Sequence, residues 1–278
     1  MKLNLMVFSY NRLNGLLNIL EEALIHNNLL SRVMIITNGD YPSRLEMEKF
    51  PKDMELIFIA KKGDFDSSVI FFYDIAKNWD GYTYVCGDDD LPNFKMLHLV
   101  VNEGLESLHV QELPSIIGFI PPSKGSPGLI NCIGSELEEK LKEMVNKPIS
   151  FSELLMNFIF SLPLGSFLLL NEDIKSCQRG LLYDSIGTWH TYSILAFQMA
   201  FEKNKNVAAA KPFIWINTEP SVLLPQNRIW NKTYKLDVAM RDSLIRSFDY
   251  INLNSLSEDE RLLFESITRL EINNWIKE

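Results

Sequence analysis

The sequence predicts an α/β protein with a mostly parallel sheet flanked by helices on both faces. Three observations carry this reading. Short apolar runs alternate with amphipathic stretches over residues 1–105. Turn-forming or polar residues follow each run, which places them at the carboxyl ends of the strands, where ligands bind in such sheets. And the fourth run ends in three consecutive carboxylates, Asp88, Asp89 and Asp90, within "YVCGDDDLPNF". With 278 residues and 46% hydrophobic content, the chain can bury a sizeable core as one large domain, or as a main domain with an appendage.

Taken in order, "LNLMVF" (3–8) reads as a buried strand. Ser9 and Asn11 can cap the helix announced by Leu13, Leu16, Leu17, Leu20 and Leu24. "RVMIIT" (32–37) is a second strand, closed by the turn pair Asn38–Gly39. A polar stretch with a short helix leads to "ELIFIA" (55–60), the third strand. Residues 66–78 read as a helix with Asp66 or Ser67 as N-cap; Asp64 and Asp66 in "KKGDFDSS" imitate an acidic pair and are read as caps. "YTYVC" (82–86) is the fourth strand and "FKMLHLVVNEGL" (94–105) the helix beyond the carboxylates. The second half is less regular: a strand over 115–120, a charged helix over 135–146, a strand over 165–170, a helix over 189–203 and a strand over 210–216. The tail from 231 is charged and mostly helical, and no internal repeat is visible.

Composition excludes several classes. The net charge is -9, the pI is near 5.1, and no Lys/Arg-rich run is present, so no nucleic-acid surface is expected. Cys86, Cys132 and Cys177 are odd in number and scattered, unlike a disulfide framework or zinc site, which points to a reducing, cytoplasmic setting. The first apolar run is too short for a secretory signal and reads as a strand. Residues 151–170 are long enough to cross a bilayer, but Glu153, Asn157, Pro163 and Gly165 interrupt them. They read as a buried helix followed by a buried strand. Were part of this stretch exposed, it would suit a polyprenyl tail or a peripheral contact with the inner face of the membrane.

In this arrangement Ser9 to Asn11, Thr37 to Asp40, Lys61 to Asp64 and Gly87 to Asp90 converge on one rim of the sheet. Three adjacent acids are either a solvated turn or the holder of a divalent cation and its diphosphate. In an extended or turn backbone residues i and i+2 point the same way, so Asp88 and Asp90 can reach one site while Asp89 points elsewhere. Hard cations such as Mg²⁺ or Mn²⁺ take one or two carboxylates and complete their shell with phosphate and water. Such an ion stabilises the charge that builds on a nucleoside diphosphate as it leaves a sugar. Ser9–Tyr10–Asn11–Arg12 reads equally as a helix cap or a ligand-facing turn, and Lys61 and Lys62 as phosphate-facing or solvated. His26, His98 and His109 read as structural, and Trp215 and Trp230 as core or sugar-stacking residues. No Gly-x-x-x-x-Gly-Lys loop, Gly-x-Gly-x-x-Gly fingerprint, Gly-x-Ser-x-Gly elbow or His-Glu-x-x-His helix occurs.

"FSYNRLNGLLNILEEAL" and "YTYVCGDDDLPNFKML" resemble the opening strand-turn-helix and the DxD segment of inverting glycosyltransferase family 2. "PLGSFLLLNEDI" and "GTWHTYSILAF" resemble the acceptor side of its bacterial surface-polysaccharide members. The resemblance spans roughly residues 1–220 and implies a GT-A fold, in which a Rossmann-like half is fused to an acceptor-binding half. By it, residues 1–112 would bind the nucleotide-sugar, 113–225 the acceptor, and 226–278 would form a helical C-terminal tail, all in one continuous domain. Ser9, Tyr10, Asn11 and Arg12 would lie against nucleobase and ribose, together with Asn38 and Asp40, and Lys62 near phosphate. Asp88 and Asp89 would hold the ribose-diphosphate, with Asp88 and Asp90 toward Mn²⁺ or Mg²⁺. One departure is that Thr37 stands where the family usually carries an acid, with Asp40 as the substitute.

An inverting transfer needs a base for the acceptor hydroxyl. Asp184 and His190 are the candidates, with Glu172 and Asp173 behind them; His190 could instead complete the cation's shell. The expected activity is therefore metal-dependent transfer of a sugar, from a UDP-sugar first of all, onto a free or lipid-linked glycan during polysaccharide biosynthesis. The alternative is an inactive GT-A-like protein that binds a nucleotide or glycan. A homo-oligomer stays open, and a sugar nucleotidyltransferase is disfavoured because "FSYNRLNG" lacks a Gly-rich basic loop.

Overall fold

Strand β1 (Leu3–Ser9) is buried along its whole length, because both faces of the sheet are covered and side chains alternate between them. Leu5 and Val7 enter one core with Leu16, Ile19 and Leu20 of α1 (Leu13–Ile25) and Leu97 of α3 (Phe94–Leu99). Met6 and Phe8 enter the other, with Val69 and Phe72 of α2 (Phe65–Ala76) and Leu195 of α6 (Thr191–Glu202). Each fully buried side chain of this kind contributes roughly 1.5–3 kcal/mol. The protein's structure, a computed structural model, describes residues 1–10, 12–37, 47–52, 54–60, 63–88, 90–104, 113–119, 147–148, 167–187, 191–202, 207–210, 216–217, 257–263 and 266.

The four predicted strands of the first half form at the expected places. β1 lies between β2 (Leu30–Thr37) and β4 (Tyr82–Gly87), parallel to both, and β3 (Glu55–Ala60) pairs in parallel with β2. The registers align their ends: Ser9 stands opposite Thr37, Thr37 opposite Ala60, and Phe8 opposite Gly87. The expected convergence at one rim follows directly. The remaining strands are β5 (Asp90–Leu91), β6 (Ile116–Phe119), β7 (Lys147–Pro148), β8 (Phe167–Leu170), β9 (Val207–Ala210) and β10 (Ile216–Asn217). The main sheet has eight strands in the order β3-β2-β1-β4-β8-β6-β9-β7. β8 runs antiparallel to both neighbours and β7 is antiparallel to β9, while β6 and β9 are parallel. The α/β architecture is as predicted, with the parallel character concentrated in the first half.

Several details differ from expectation. Of the strand expected over 210–216, residues 211–215 lie outside the described residues; Ala210 is the last residue of β9 and Ile216 the first of the short β10. "VAAA" has little strand propensity of its own; pairing with β6 makes it a strand. The helix after the carboxylates passes at Val100 into a π-helical turn that runs over Val100–Gly104. Two short helices, α4 (Asn171–Ile174) and α5 (Arg179–Asp184), were not foreseen. Asp64, not Asp66 or Ser67, caps α2: its Oδ1 accepts the Ser67 N–H at 2.7 Å. The predicted helix over 135–146 and residues 151–166 lie outside the described residues; of the tail, 258–263 and 266 are helical. Among the described residues no helix is long and apolar enough to cross a membrane.

Candidate functional site

Because Phe8 pairs with Gly87, the turn leaving β1 and the carboxylate turn leaving β4 are neighbours. Asp88 is buried, only 3% exposed, which is unfavourable for a carboxylate unless its oxygens are met by donors. They are. Oδ2 accepts from the Ser9 hydroxyl at 2.9 Å and from the Tyr10 backbone N–H at 2.8 Å. Oδ1 accepts from Arg12 Nη1 at 3.3 Å, a charge-assisted contact. Ser9 therefore does not cap α1; the residue at that position is Arg12, whose side chain makes no capping hydrogen bond. Tyr10 is 65% exposed and the Arg12 side chain 36%, so a ring and a guanidinium remain accessible above a buried carboxylate.

Two features outside the motif fix this turn. A Cβ placed on Gly15 would overlap the Asp88 carbonyl oxygen and stand 3.1 Å from its carbonyl carbon. Glycine in the first turn of α1 is what lets the carboxylate turn lie against the helix. On the far side, β5 pairs antiparallel with β10, with Asn217 opposite Asp90 and Ile216 opposite Leu91. A segment distant in sequence thus braces the backbone of Asp90.

Of the other predicted residues, Asn11, Asn38, Asp40, Lys62, Asp89 and His190 lie outside the described residues, and Asp90 is described in its backbone. Thr37 is buried beside Ser9. Asp184 is the last residue of α5 and exposed; it is not part of the hydrogen-bonded group around Asp88. Glu172 and Asp173 fall at the opposite end of the sheet. β8 is antiparallel to β4, so Leu170 pairs with Tyr82 at the start of β4, and α4 follows there. Glu172 accepts the Gly81 N–H at 2.9 Å and Asp173 the Ser115 hydroxyl at 2.7 Å. At about 3.3 Å per residue, β4 separates them from Asp88 by roughly 17 Å, which removes both as candidates for the base.

Below the rim, Tyr192 in the first turn of α6 is buried, and its hydroxyl has no hydrogen-bond partner among the described residues. Burial pushes the phenol above its ordinary value, and neighbouring Cys86 adds to the effect. Among the described residues no three His, Cys, Asp or Glu side chains gather as a metal-ligand cluster. Carboxylates are the donor type a hard divalent cation takes, with phosphate and water completing its shell; of Asp88–Asp90 the described side chain is that of Asp88, whose oxygens already accept from Ser9, Tyr10 and Arg12. Sequence reasoning missed Gly15 and β10, and read as a cap Asp66, whose carboxylate accepts the Gly187 and Thr191 N–H groups. Only Gly15 left a signal, as a glycine inside an amphipathic helical pattern.

No family model matches the chain, and no curated protein matches it significantly. Among solved structures it is similar to glucosyl-3-phosphoglycerate synthase from Mycobacterium tuberculosis, in complex with phosphoglyceric acid, at 8% identity over 90% of this chain and 80% of that one, with a TM-score of 0.49. A mycobacterial protein matches at 8% identity over 90% and 74%, with a TM-score of 0.44. The inositol-1-phosphate CTP transferase from T. maritima matches at 12% identity over 86% and 95%, with a TM-score of 0.40. These likenesses are of chain course, at identities too low to carry over the role of any residue.

Proposed function

We propose that the chain is a metal-dependent inverting glycosyltransferase with a GT-A fold. It moves a sugar from a nucleoside diphosphate, UDP first of all, onto a free or lipid-linked saccharide in surface-glycan synthesis. The supporting observation is the gathering of Ser9, Tyr10 and Arg12 around Asp88 at the carboxyl ends of parallel strands. In this reading residues 1–112 hold the donor, 113–225 the acceptor, and 226–278 form an appended tail. Asp88 organises the first-strand turn and reaches the ribose. Tyr10 offers an aromatic face to the nucleobase, and Arg12 and Lys62 offer positive charge near the diphosphate. Asp90, with Asp88, would hold Mn²⁺ or Mg²⁺, which supplies neutralising charge to the leaving diphosphate. The acceptor proton goes to Asp184 or to His190, the residue bonded to the first residue of α6.

The test is a panel of nucleotide-sugars assayed for transfer and hydrolysis, with wild type beside Asp90→Ala. The variant should melt like wild type and lose about a hundredfold or more in rate, the usual effect of removing a key electrostatic group. A folded Asp90→Ala protein that keeps more than about a tenth of the rate contradicts the reading. Nucleotide binding by wild type without turnover on any donor replaces it with that of a binding protein.

A further inference from the structure

The two oxygens of the buried Asp88 carboxylate are held very differently. Oδ2 accepts from the Ser9 hydroxyl at 2.9 Å and from the Tyr10 N–H at 2.8 Å. Ser9 is the last residue of β1 and is itself buried, and Tyr10 follows it directly. Oδ1 meets Arg12 Nη1 at 3.3 Å, longer than the roughly 2.7–2.9 Å of a charge-assisted hydrogen bond. Arg32 and Arg179 approach their carboxylates to 2.6 and 2.5 Å, so the grip on Asp88 is the loosest of these three guanidinium pairs.

Asp88 cannot follow a retreating partner. Its side chain is pinned through Oδ2, and its carbonyl lies so close to α1 that a Cβ on Gly15 would overlap it. Arg12 can move. Its carbonyl accepts the Leu16 N–H at 3.1 Å, which fixes the backbone, but its side chain is long, partly exposed and carries five N–H donors. A buried carboxylate without a counter-charge is unfavourable, so Oδ1 calls for positive charge of some kind. A divalent ion at the same oxygen supplies that charge and repels the guanidinium. Phosphate oxygens, which match the guanidinium fork, are then the better partners for Arg12.

We propose that Arg12 competes with a divalent cation for Oδ1 of Asp88, and passes to the phosphates of the nucleotide-sugar when the cation takes that oxygen. This rests on the reading of the acidic turn as the site of a cation and a diphosphate. Competition gives loss of the guanidinium two effects of opposite sign, which a structural ion pair would not show. Mn²⁺ binding is measured by electron paramagnetic resonance of the free ion without nucleotide, and UDP binding by calorimetry at saturating Mn²⁺. In Arg12→Gln, which keeps a neutral N–H donor, Mn²⁺ binds about tenfold tighter than in wild type and UDP about tenfold weaker, each the effect of one hydrogen bond to a charged group. Adding Asp88→Asn to Arg12→Gln abolishes the gain in Mn²⁺ affinity. Arg12→Lys, which restores the charge, keeps Mn²⁺ affinity near wild type, and decides the matter if the double variant does not fold. Mn²⁺ affinity that is unchanged or lower in Arg12→Gln, a gain that survives Asp88→Asn, or an equal gain in Arg12→Lys overturns the proposal. Wild type that binds no Mn²⁺ even with UDP overturns the functional reading, and this proposal with it, so the two failures are distinguishable.

Discussion

Gly15→Ala separates local helix propensity from the tertiary demand of the site. In an unconstrained helix interior, alanine in place of glycine is favourable by about 1 kcal/mol. Here the new methyl would overlap the Asp88 carbonyl oxygen, a backbone atom that cannot rotate aside. Overpacking of this kind costs about 1–3 kcal/mol. Relief requires the carboxylate turn to retreat, which stretches the contacts from Ser9 and Tyr10 to the buried Asp88. Weakening one hydrogen bond to a charged partner costs about 1.5–3 kcal/mol more. The penalties outweigh the propensity gain, leaving a net loss of about 3 kcal/mol. Urea unfolding measures it directly, and titration with UDP and Mn²⁺ reads the displaced turn as weakened binding. A Gly15→Ala protein as stable as wild type, or more so, refutes the close packing of this turn on α1.

Other outcomes follow from buried polar groups. Tyr192→Phe removes a hydroxyl with no partner among the described residues and should leave stability unchanged or raise it by about 1 kcal/mol in thermal or urea melts. Burial lifts the phenols of Tyr82 and Tyr192 well above their ordinary value of 10.0. An unfolded chain then binds fewer protons than the native one above that pH. Stability is intact below about pH 10 and falls above it by about 1.4 kcal/mol per pH unit per phenol, and Tyr192→Phe should make the decline shallower. Asn171 is buried; its side chain accepts from the Thr83 hydroxyl at 2.8 Å and donates to the Asp80 carbonyl at 3.3 Å. Asn171→Ala leaves the Thr83 hydroxyl unmet, while Asn4 still donates to the Asp80 carbonyl at 2.9 Å, and should cost about 1–3 kcal/mol by urea unfolding, with nucleotide affinity retained because this network lies at the opposite edge from Asp88.

The first half was legible because each of its strands is an apolar run closed by turn residues, and parallel order puts all those closures on one edge. That pattern places Ser9 and Asp88 on one edge, and the family resemblance adds Arg12 to the same turn. It could not foresee how they divide the work: Ser9 has the chemistry of a cap, and only the adjacency of the β1 and β4 turns makes it a donor to Asp88 instead. Direction was equally hidden. Nothing in "SFLLL" marks β8 as antiparallel, and that reversal is what carries Glu172 and Asp173 to the wrong end of the sheet for a catalytic base. Asp64 and Asp66 are two of the same residue type at one helix start. One caps locally, while the other spans 121 residues to Gly187, a distinction that local pattern does not encode.

Calorimetry of UDP binding with and without Mn²⁺, on wild type and Asp90→Ala, bears most directly on the proposed site. Manganese-dependent binding by wild type that disappears in the variant is the expected result. Equal affinity with and without the ion, or undiminished binding by Asp90→Ala, contradicts a cation held at the carboxyl edge of this sheet.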